Sequence, residues 1–213
     1  MPSVPPVPPS SRGAPPSSRG GPPSSRGGGR GSIKGTVLVS RLAFLRGQRG
    51  GNGVDAVIAR LPEDDQQVLT TPILPFGWYS FDLYCRLDAA IAEVMDQGKN
   101  IFRVLGAASA KDNLSGDHRR FILGRDPHAL LRNSAAIYRL YYDSGERVYE
   151  RTGDRSALLR TTGGRAFSSS DCLTVVGWHE KAIEMCGGKD VRVTETICRA
   201  RGGASCEYVC EWQ

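Results

Sequence analysis

The first apolar positions of the chain follow helical spacing. Between residues 37 and 45 they recur near the i, i+4 interval of one helix face, and the glycine cluster at 50–53 ends that segment. A second helix is predicted over 54–61. Pro62, followed by three acidic residues, is typical of the start of a third, because proline and negative charge both suit a helix N-terminus.

The stretch 72–79, PILPFGWY, is predicted to be an apolar loop, because two prolines and a glycine interrupt it. Ser80 can cap the helix that follows. One face of that helix carries Leu83, Leu87, Ala90, Ile91 and Val94. Another helix is predicted over 101–112.

Asp126 and Pro127 together are a typical cap and first turn, and they predict a helix that continues to Tyr142. Its spacing places four apolar residues in the core: Leu130, Leu131, Ile137 and Tyr141.

The second half of the chain alternates with the period of strands. Segments 146–151 and 156–161 are expected to pair across Gly153-Asp154, and a helix is predicted over 172–186. The segment 189–197 alternates again, with Val191, Val193 and Ile197 on one face, and 205–212 forms the last strand, with Cys206, Tyr208, Cys210 and Trp212 on one side. Helices first and antiparallel strands later indicate an α+β fold, a helical layer packed on a small antiparallel sheet.

Residues 1–32 break with this pattern. They contain three copies of a seven-residue unit, PPSSRGA followed by PPSSRGG twice, which is too polar to bury a core and is expected to be disordered. Residues 33–213 are then expected to form a single ligand-binding domain. The tail supplies four of the six net positive charges, through Arg12, Arg19, Arg26 and Arg30, so the folded part carries about +2.

Two interpretations of the tail remain open. It is either a solubilising tether whose serines accept phosphate, or a weak and salt-sensitive ligand for RNA, DNA or an acidic lipid surface. No apolar run approaches the roughly 20 residues of a transmembrane helix, and no secretory signal is present, which indicates a cytoplasmic protein. In that compartment six cysteines favour thiols or metal ligands over disulfides.

Four potential metal ligands lie at Cys172, Glu195, Cys198 and Cys206. The predicted elements place them at a helix start and at the end of a hairpin, where three thiolates and a carboxylate can form a closed tetrahedral zinc site. Glu195 and Cys198 are three residues apart, so a regular strand would point them to opposite faces, and we expect a bend or bulge there. The alternatives are buried thiols that pack as small hydrophobes, or a redox-sensitive pair at Cys198 and Cys206.

The segment 172–206, CLTVVGWHEKAIEMCGGKDVRVTETICRARGGASC, resembles the C-terminal part of the 4-vinyl reductase domain family, which includes the input domains of phenol- and xylene-responsive activators. The likeness lies in the spacing of the first cysteine, Gly177, the ExxC pair and the last cysteine. It implies a structural zinc at Cys172, Glu195, Cys198 and Cys206. Those sensors carry tyrosines where this chain has Val176 and Val193, which argues against a phenolic ligand.

The segments RLPEDD at 60–65, ILPFGWYSFDL at 73–83 and IYRLYYDSG at 137–145 resemble a myxobacterial paralogous family. The wider superfamily is similar in fold to heme-NO-binding domains and to TRAPP subunits, which implies a helical layer against an antiparallel sheet and a homodimer. No ATPase domain or helix-turn-helix follows the segment resembling a sensor, so the role of an activator is not implied.

Three functions follow from these features. The first is a regulatory module that binds a small apolar or amphipathic molecule; its candidate lining residues, which are alternatively plain core, are Trp78, Phe102, Phe121, Tyr141 and Trp178. The second is a dimeric adaptor whose tail contacts a partner, nucleic acid or an anionic surface. The third, an enzyme, is disfavoured, because no nucleophile-base pair or phosphate loop is present, and His118, His128 and His179 are expected to be solvated or capping.

Overall fold

The computed structural model describes residues 29–213 except 96, 97, 99, 117 and 123. The predicted disorder and repeat of the tail fall on positions 1–28, outside the described residues. The first strand begins at Ser32, the last residue assigned to the tail by the sequence. The α+β class and the antiparallel sheet are confirmed.

Seven α-helices and six strands make up the described part of the chain. The helices are α1 Gly35–Ile58, α2 Glu63–Thr70, α3 Phe81–Met95, α4 Asn100–Ser115, α5 Pro127–Arg132, α6 Ser134–Tyr141 and α7 Ser169–Met185. The strands are β1 Ser32–Lys34, β2 Trp78–Ser80, β3 Glu146–Gly153, β4 Ser156–Thr162, β5 Arg192–Ile197 and β6 Cys206–Glu211. No helix of this part is both long and apolar enough to cross a bilayer.

Of two sequence boundaries in the first half, one is confirmed and one is wrong. The glycine cluster interrupts α1 as predicted, because Gly50 has a non-helical φ of 67° and ψ of −168°, so α1 consists of two helical segments joined at a kink. The end of the predicted loop 72–79 is a strand, since β2 pairs antiparallel with β1. Local pattern could not show this pairing, because the partner strand lies more than 40 residues upstream.

The helix predicted from 126 to 142 is two helices. Asp126 caps α5 as expected by accepting a hydrogen bond from the amide of His128 at 2.8 Å. The break comes at Asn133, whose ψ of 3° leaves the helical range and allows α6 to start in a new direction. The four predicted core residues of this segment are all buried.

The sheet has the order β3-β4-β6-β5 and is antiparallel throughout. Helix α7 connects β4 to β5 and packs on α4, so the helical layer covers one face of the sheet. The alternating residues of β6 are buried as predicted, whereas Ile197 is exposed because a bulge shifts its register. One apolar cluster fills the space between α7 and the sheet, and a second lies among α1, α3 and the start of α4.

Candidate metal centre and ligand cavity

The four predicted ligands meet at one point of the fold. Cys172 lies in the first turn of α7, which Ser168 caps by accepting from the amide of Asp171 at 3.1 Å. Glu195 is in β5, Cys198 follows that strand, and Cys206 opens β6. The sulfur and carboxylate atoms of Cys172, Glu195, Cys198 and Cys206 lie within 4.8 Å of one another.

A bulge near the end of β5 makes this convergence possible. Glu195 pairs with Tyr208, but Ile197 pairs with the adjacent Glu207. One residue of β5 therefore has no partner in the ladder. The expected bend between Glu195 and Cys198 is therefore confirmed, and it brings both side chains to the same side.

The turn from Cys198 to Cys206 is held by its own main chain. The carbonyl of Cys198 accepts from the amides of Arg201 at 3.1 Å and Gly203 at 2.9 Å. Gly202 has a φ of 89°, a left-handed conformation that favours glycine. These bonds fix the separation of the two cysteines.

The sulfur separations match a tetrahedral metal site. The Sγ atom of Cys172 lies 3.8 Å from that of Cys206 and 3.7 Å from that of Cys198. Zinc–sulfur bonds of roughly 2.3 Å in a tetrahedron put neighbouring sulfurs about 3.8 Å apart. A disulfide would need about 2.05 Å, so these cysteines are thiols in the structure.

One carboxylate oxygen of Glu195 is free to bind a metal ion. Its Oε2 atom forms an ion pair with Arg201 at 3.0 Å, while Oε1 is buried and has no hydrogen-bond partner among the described residues. A buried carboxylate oxygen is costly unless a donor or a cation meets it. The donor set therefore fits a thiophilic divalent cation.

The thiols are not equivalent without such a cation. The hydrogen bond from Cys172 lowers the pKa of the Cys206 thiol to about 7, and the amide of Arg199 also donates to that sulfur. Donating that bond raises the pKa of Cys172, and burial raises the pKa of Cys198. Thiolates this close repel one another, so all three are expected to ionise together only around a cation.

A cavity of about 60 Å³ lies beside α7, between the helical layer and the sheet. Of the five predicted lining residues, Tyr141 and Trp178 contact it. Phe102 is buried in the helical core and Phe121 packs against the sheet cluster. Trp78 is 46% exposed on β2. These three predictions of a lining role have no support in the geometry, since helical spacing alone does not tell core from cavity.

The charged wall of the cavity was not predictable from the spacing of apolar residues alone. Arg41 and Asp88 form a buried ion pair at 3.1 Å, and the Arg41 guanidinium also donates to Thr174. Tyr84 and Tyr142 donate to Asp171, whose pKa burial raises to about 6. Arg41 could have been found, because it shares the apolar stripe of α1 as a lone charged residue.

Two histidines are buried, so the solvated interpretation is wrong for them. His128 contacts the Tyr149 hydroxyl and the Asp154 carbonyl. His179 lines the cavity, and its Nδ1 donates to the Val175 carbonyl at 2.8 Å. Burial lowers the pKa of His179 to about 3, so the ring is neutral and its Nε2 is an acceptor.

Solved structures that share this architecture are H-NOX domains. The H-NOX protein of S. oneidensis in its Fe(II)NO state aligns with a TM-score of 0.66 and 14% identity, covering 84% of this chain and 99% of that one. The unliganded Fe(II) protein of K. algicida gives 0.65 and 13%, with coverage of 84% and 96%. An oxygen-binding H-NOX domain related to soluble guanylate cyclases gives 0.64 and 15%, with 84% and 95%. The chain has the H-NOX fold.

These alignments confirm the expected similarity in fold to heme-NO-binding domains. No family profile and no curated protein matches the sequence. No sequence match supports the resemblance to the 4-vinyl reductase family. Sequence identities near 15% to the H-NOX structures show a shared fold only.

Two further solved structures that align with this chain are described by their heme. The cavity of this chain is too small and too polar to hold a heme. His179 lines the cavity and would be the available axial ligand. However, about 60 Å³ is well below the roughly 300–1,000 Å³ of ordinary ligand pockets. The Arg41–Asp88 pair and its tyrosine partners would also have to be displaced from their hydrogen bonds.

Proposed function

We propose that this chain is a regulatory module that binds a small amphipathic molecule in the cavity beside α7, and that a structural zinc holds the wall of that cavity. Its role is binding rather than catalysis. The H-NOX fold supports a sensing domain, and the polar wall distinguishes its ligand from a porphyrin.

A single observation carries the proposal. Trp178 lines the cavity, and its buried indole Nε1 has no hydrogen-bond partner among the described residues. The adjacent His179 also lines the cavity, and because its Nδ1 donates to Val175, the neutral ring keeps Nε2 as an acceptor. Buried polar groups are almost always paired, so an indole donor and an imidazole acceptor at one cavity favour a ligand with a hydroxyl group.

The size of the cavity limits the ligand further. A cavity of about 150 Å³ is needed to hold benzene, and this one has about 60 Å³. The best fit is thus a short alcohol or a molecule of similar size, whose apolar part contacts Ile137 and Val175.

Zinc at Cys172, Glu195, Cys198 and Cys206 would join the β5–β6 hairpin to the start of α7. A closed site of three thiolates and one carboxylate leaves no open position for substrate, so the metal is structural. Because Trp178 and His179 lie on the same helix, the metal would position them too.

Titration calorimetry with methanol and ethanol tests the ligand site, and phenol, which is larger than benzene, is expected not to bind. We expect the Trp178→Phe substitution to weaken binding of the best alcohol roughly three- to tenfold, because it removes one hydrogen-bond donor. Trp212→Phe is the matched control, since Trp212 is equally buried but does not line the cavity. Equal affinities of the two variants, or no heat with any alcohol, would contradict the proposal.

A further inference from the structure

An apolar turn at residues 74–78 protrudes from the helical half of the molecule. Leu74 is 58% exposed, Phe76 83% and Trp78 46%. Three large apolar side chains within five residues form a local patch, whereas Val104 and Val148 are exposed singly on α4 and β3. Single exposed apolar residues are ordinary, but a patch indicates contact with another apolar surface.

Most main-chain groups of the 74–78 turn have hydrogen-bond partners within the protein. The carbonyl of Leu74 accepts from Gly77, that of Pro75 from Thr36, and that of Gly77 from Gly35, each at 2.9 Å.

Two side chains supply further bonds. The Tyr79 hydroxyl accepts from the Leu74 amide at 2.9 Å, and Lys34 Nζ donates to the Phe76 carbonyl at 3.0 Å. The Phe76 amide has no partner in the described part of the chain, and Trp78 faces Lys34 at a non-hydrogen-bonded position of the β1–β2 ladder. Backbone groups that are already paired can enter an apolar medium without the cost of losing water.

Positive charge accompanies the turn. The Lys34 ammonium lies 3.9 Å from the centroid of the Trp78 ring. Strand β1, which contains Lys34, is where the N-terminal segment joins the fold, and it pairs with β2 beside the turn. Before Asp55 the sequence carries no acidic residue and eight basic residues, of which Arg41 is buried in its pair with Asp88.

We propose that the 74–78 turn inserts into the surface of an anionic phospholipid membrane, with Lys34 at the level of the lipid phosphates. Stable attachment to a membrane surface requires two signals, such as apolar side chains together with a basic segment, and this chain has both.

A protein partner fits these observations less well. Stable protein interfaces bury roughly 1,200–2,000 Å² in total, with a packed apolar centre. Three side chains on one turn do not supply such an area, whereas a membrane surface needs only a few inserted side chains.

Vesicle sedimentation of the full chain tests the proposal. We expect binding to vesicles of phosphatidylcholine mixed with phosphatidylserine, and little binding to phosphatidylcholine alone. The double substitution Leu74→Ala, Phe76→Ala should weaken binding at least about tenfold, because two apolar contacts are lost. The matched control, Val104→Ala with Val148→Ala, alters residues of similar exposure and should bind like the unmodified chain.

A second measurement needs no apolar variant. Trp178 and Trp212 are each only 8% exposed, so quenching by phospholipids with brominated acyl chains should report on Trp78 and disappear in Trp78→Phe. Absence of vesicle binding overturns the proposal. So does binding that the Leu74, Phe76 double variant retains, or binding without quenching, since either leaves only electrostatic attraction. A dimer in solution that the same double variant dissociates would instead assign the turn to a protein contact.

Discussion

Arg41 is the largest of the fully buried side chains in the described chain. It shares the buried stripe of α1 with Leu38 and Leu45, so its position follows from helical spacing. Removing one partner from a buried ion pair costs about 3–5 kcal/mol, whereas the intact pair contributes little net stability. The Arg41–Asp88 pair is therefore better explained by the geometry of the cavity wall than by stability.

His179 makes the stability of the protein depend on pH. Burial lowers its pKa from 6.5 to about 3 in the folded chain. Below pH 6.5 the imidazole therefore binds a proton in the unfolded chain but not in the folded chain. The unfolding free energy falls as the pH decreases from 6.5 towards 3. We expect the imidazole to remove about 2 kcal/mol of the unfolding free energy between pH 6.5 and 5.

Urea unfolding at several pH values checks this expectation. In His179→Gln the side chain does not titrate, so the unfolding free energy should fall less steeply with acid than in the unmodified chain. Parallel pH profiles for the two proteins would show that His179 is not the group responsible.

The contact between α4 and α7 depends on two glycines. A Cβ atom at Gly177 would lie 1.9 Å from the carbonyl oxygen of Arg103, and one at Gly106 would lie 2.1 Å from that of Thr174. Both obstacles are main-chain atoms, which cannot move without displacing a helix. In the sequence, only a family resemblance points to Gly177. The close approach of α4 and α7 is the physical reason why glycine is needed at that position.

We predict that Gly177→Ala lowers the unfolding free energy by about 3 kcal/mol, because overpacking forces the helices apart. Gly47→Ala is the control: Gly47 lies in α1 with no atom within 4 Å of an added Cβ. Alanine there should raise stability by about 0.5–1 kcal/mol through helix propensity. Similar effects of both substitutions would argue against a tight α4–α7 contact.

Elements with local signals were predictable and those with distant causes were not. The β3–β4 hairpin follows from alternation around Gly153, and the bulge in β5 from the three-residue spacing of Glu195 and Cys198. The pairing of β2 with β1 could not be read locally. The break at Asn133 was also missed, because the apolar period continues through it.

The two parts of the candidate site also differ in how far the sequence predicts them. The convergence of the four candidate metal ligands was predictable because the side-chain chemistry and spacing of Cys172, Glu195, Cys198 and Cys206 restrict where they can meet. The cavity was not, because its wall combines α1, α3 and α7, and nothing in the sequence indicates which tyrosines lie near Asp171.

At the scale of the whole molecule, one helix connects the two sites. The first turn of α7 contributes Cys172 to the candidate metal site, and two turns later Trp178 and His179 line the cavity. The chain shares the H-NOX fold, but function depends on the site and not on the fold, so the cavity wall has to be judged from its own residues.

Native mass spectrometry of the full chain, purified without chelator, is the decisive measurement for the proposed zinc site. We expect one zinc ion per chain, retained in Cys85→Ser, whose thiol lies outside the cluster, and absent in Cys206→Ser. Loss of the metal should also lower the Tm by about 10 °C or more, because several kcal/mol of stability depend on it. A chain without metal, a metal that survives Cys206→Ser, or the added mass of a porphyrin would rule out a structural zinc beside a small cavity.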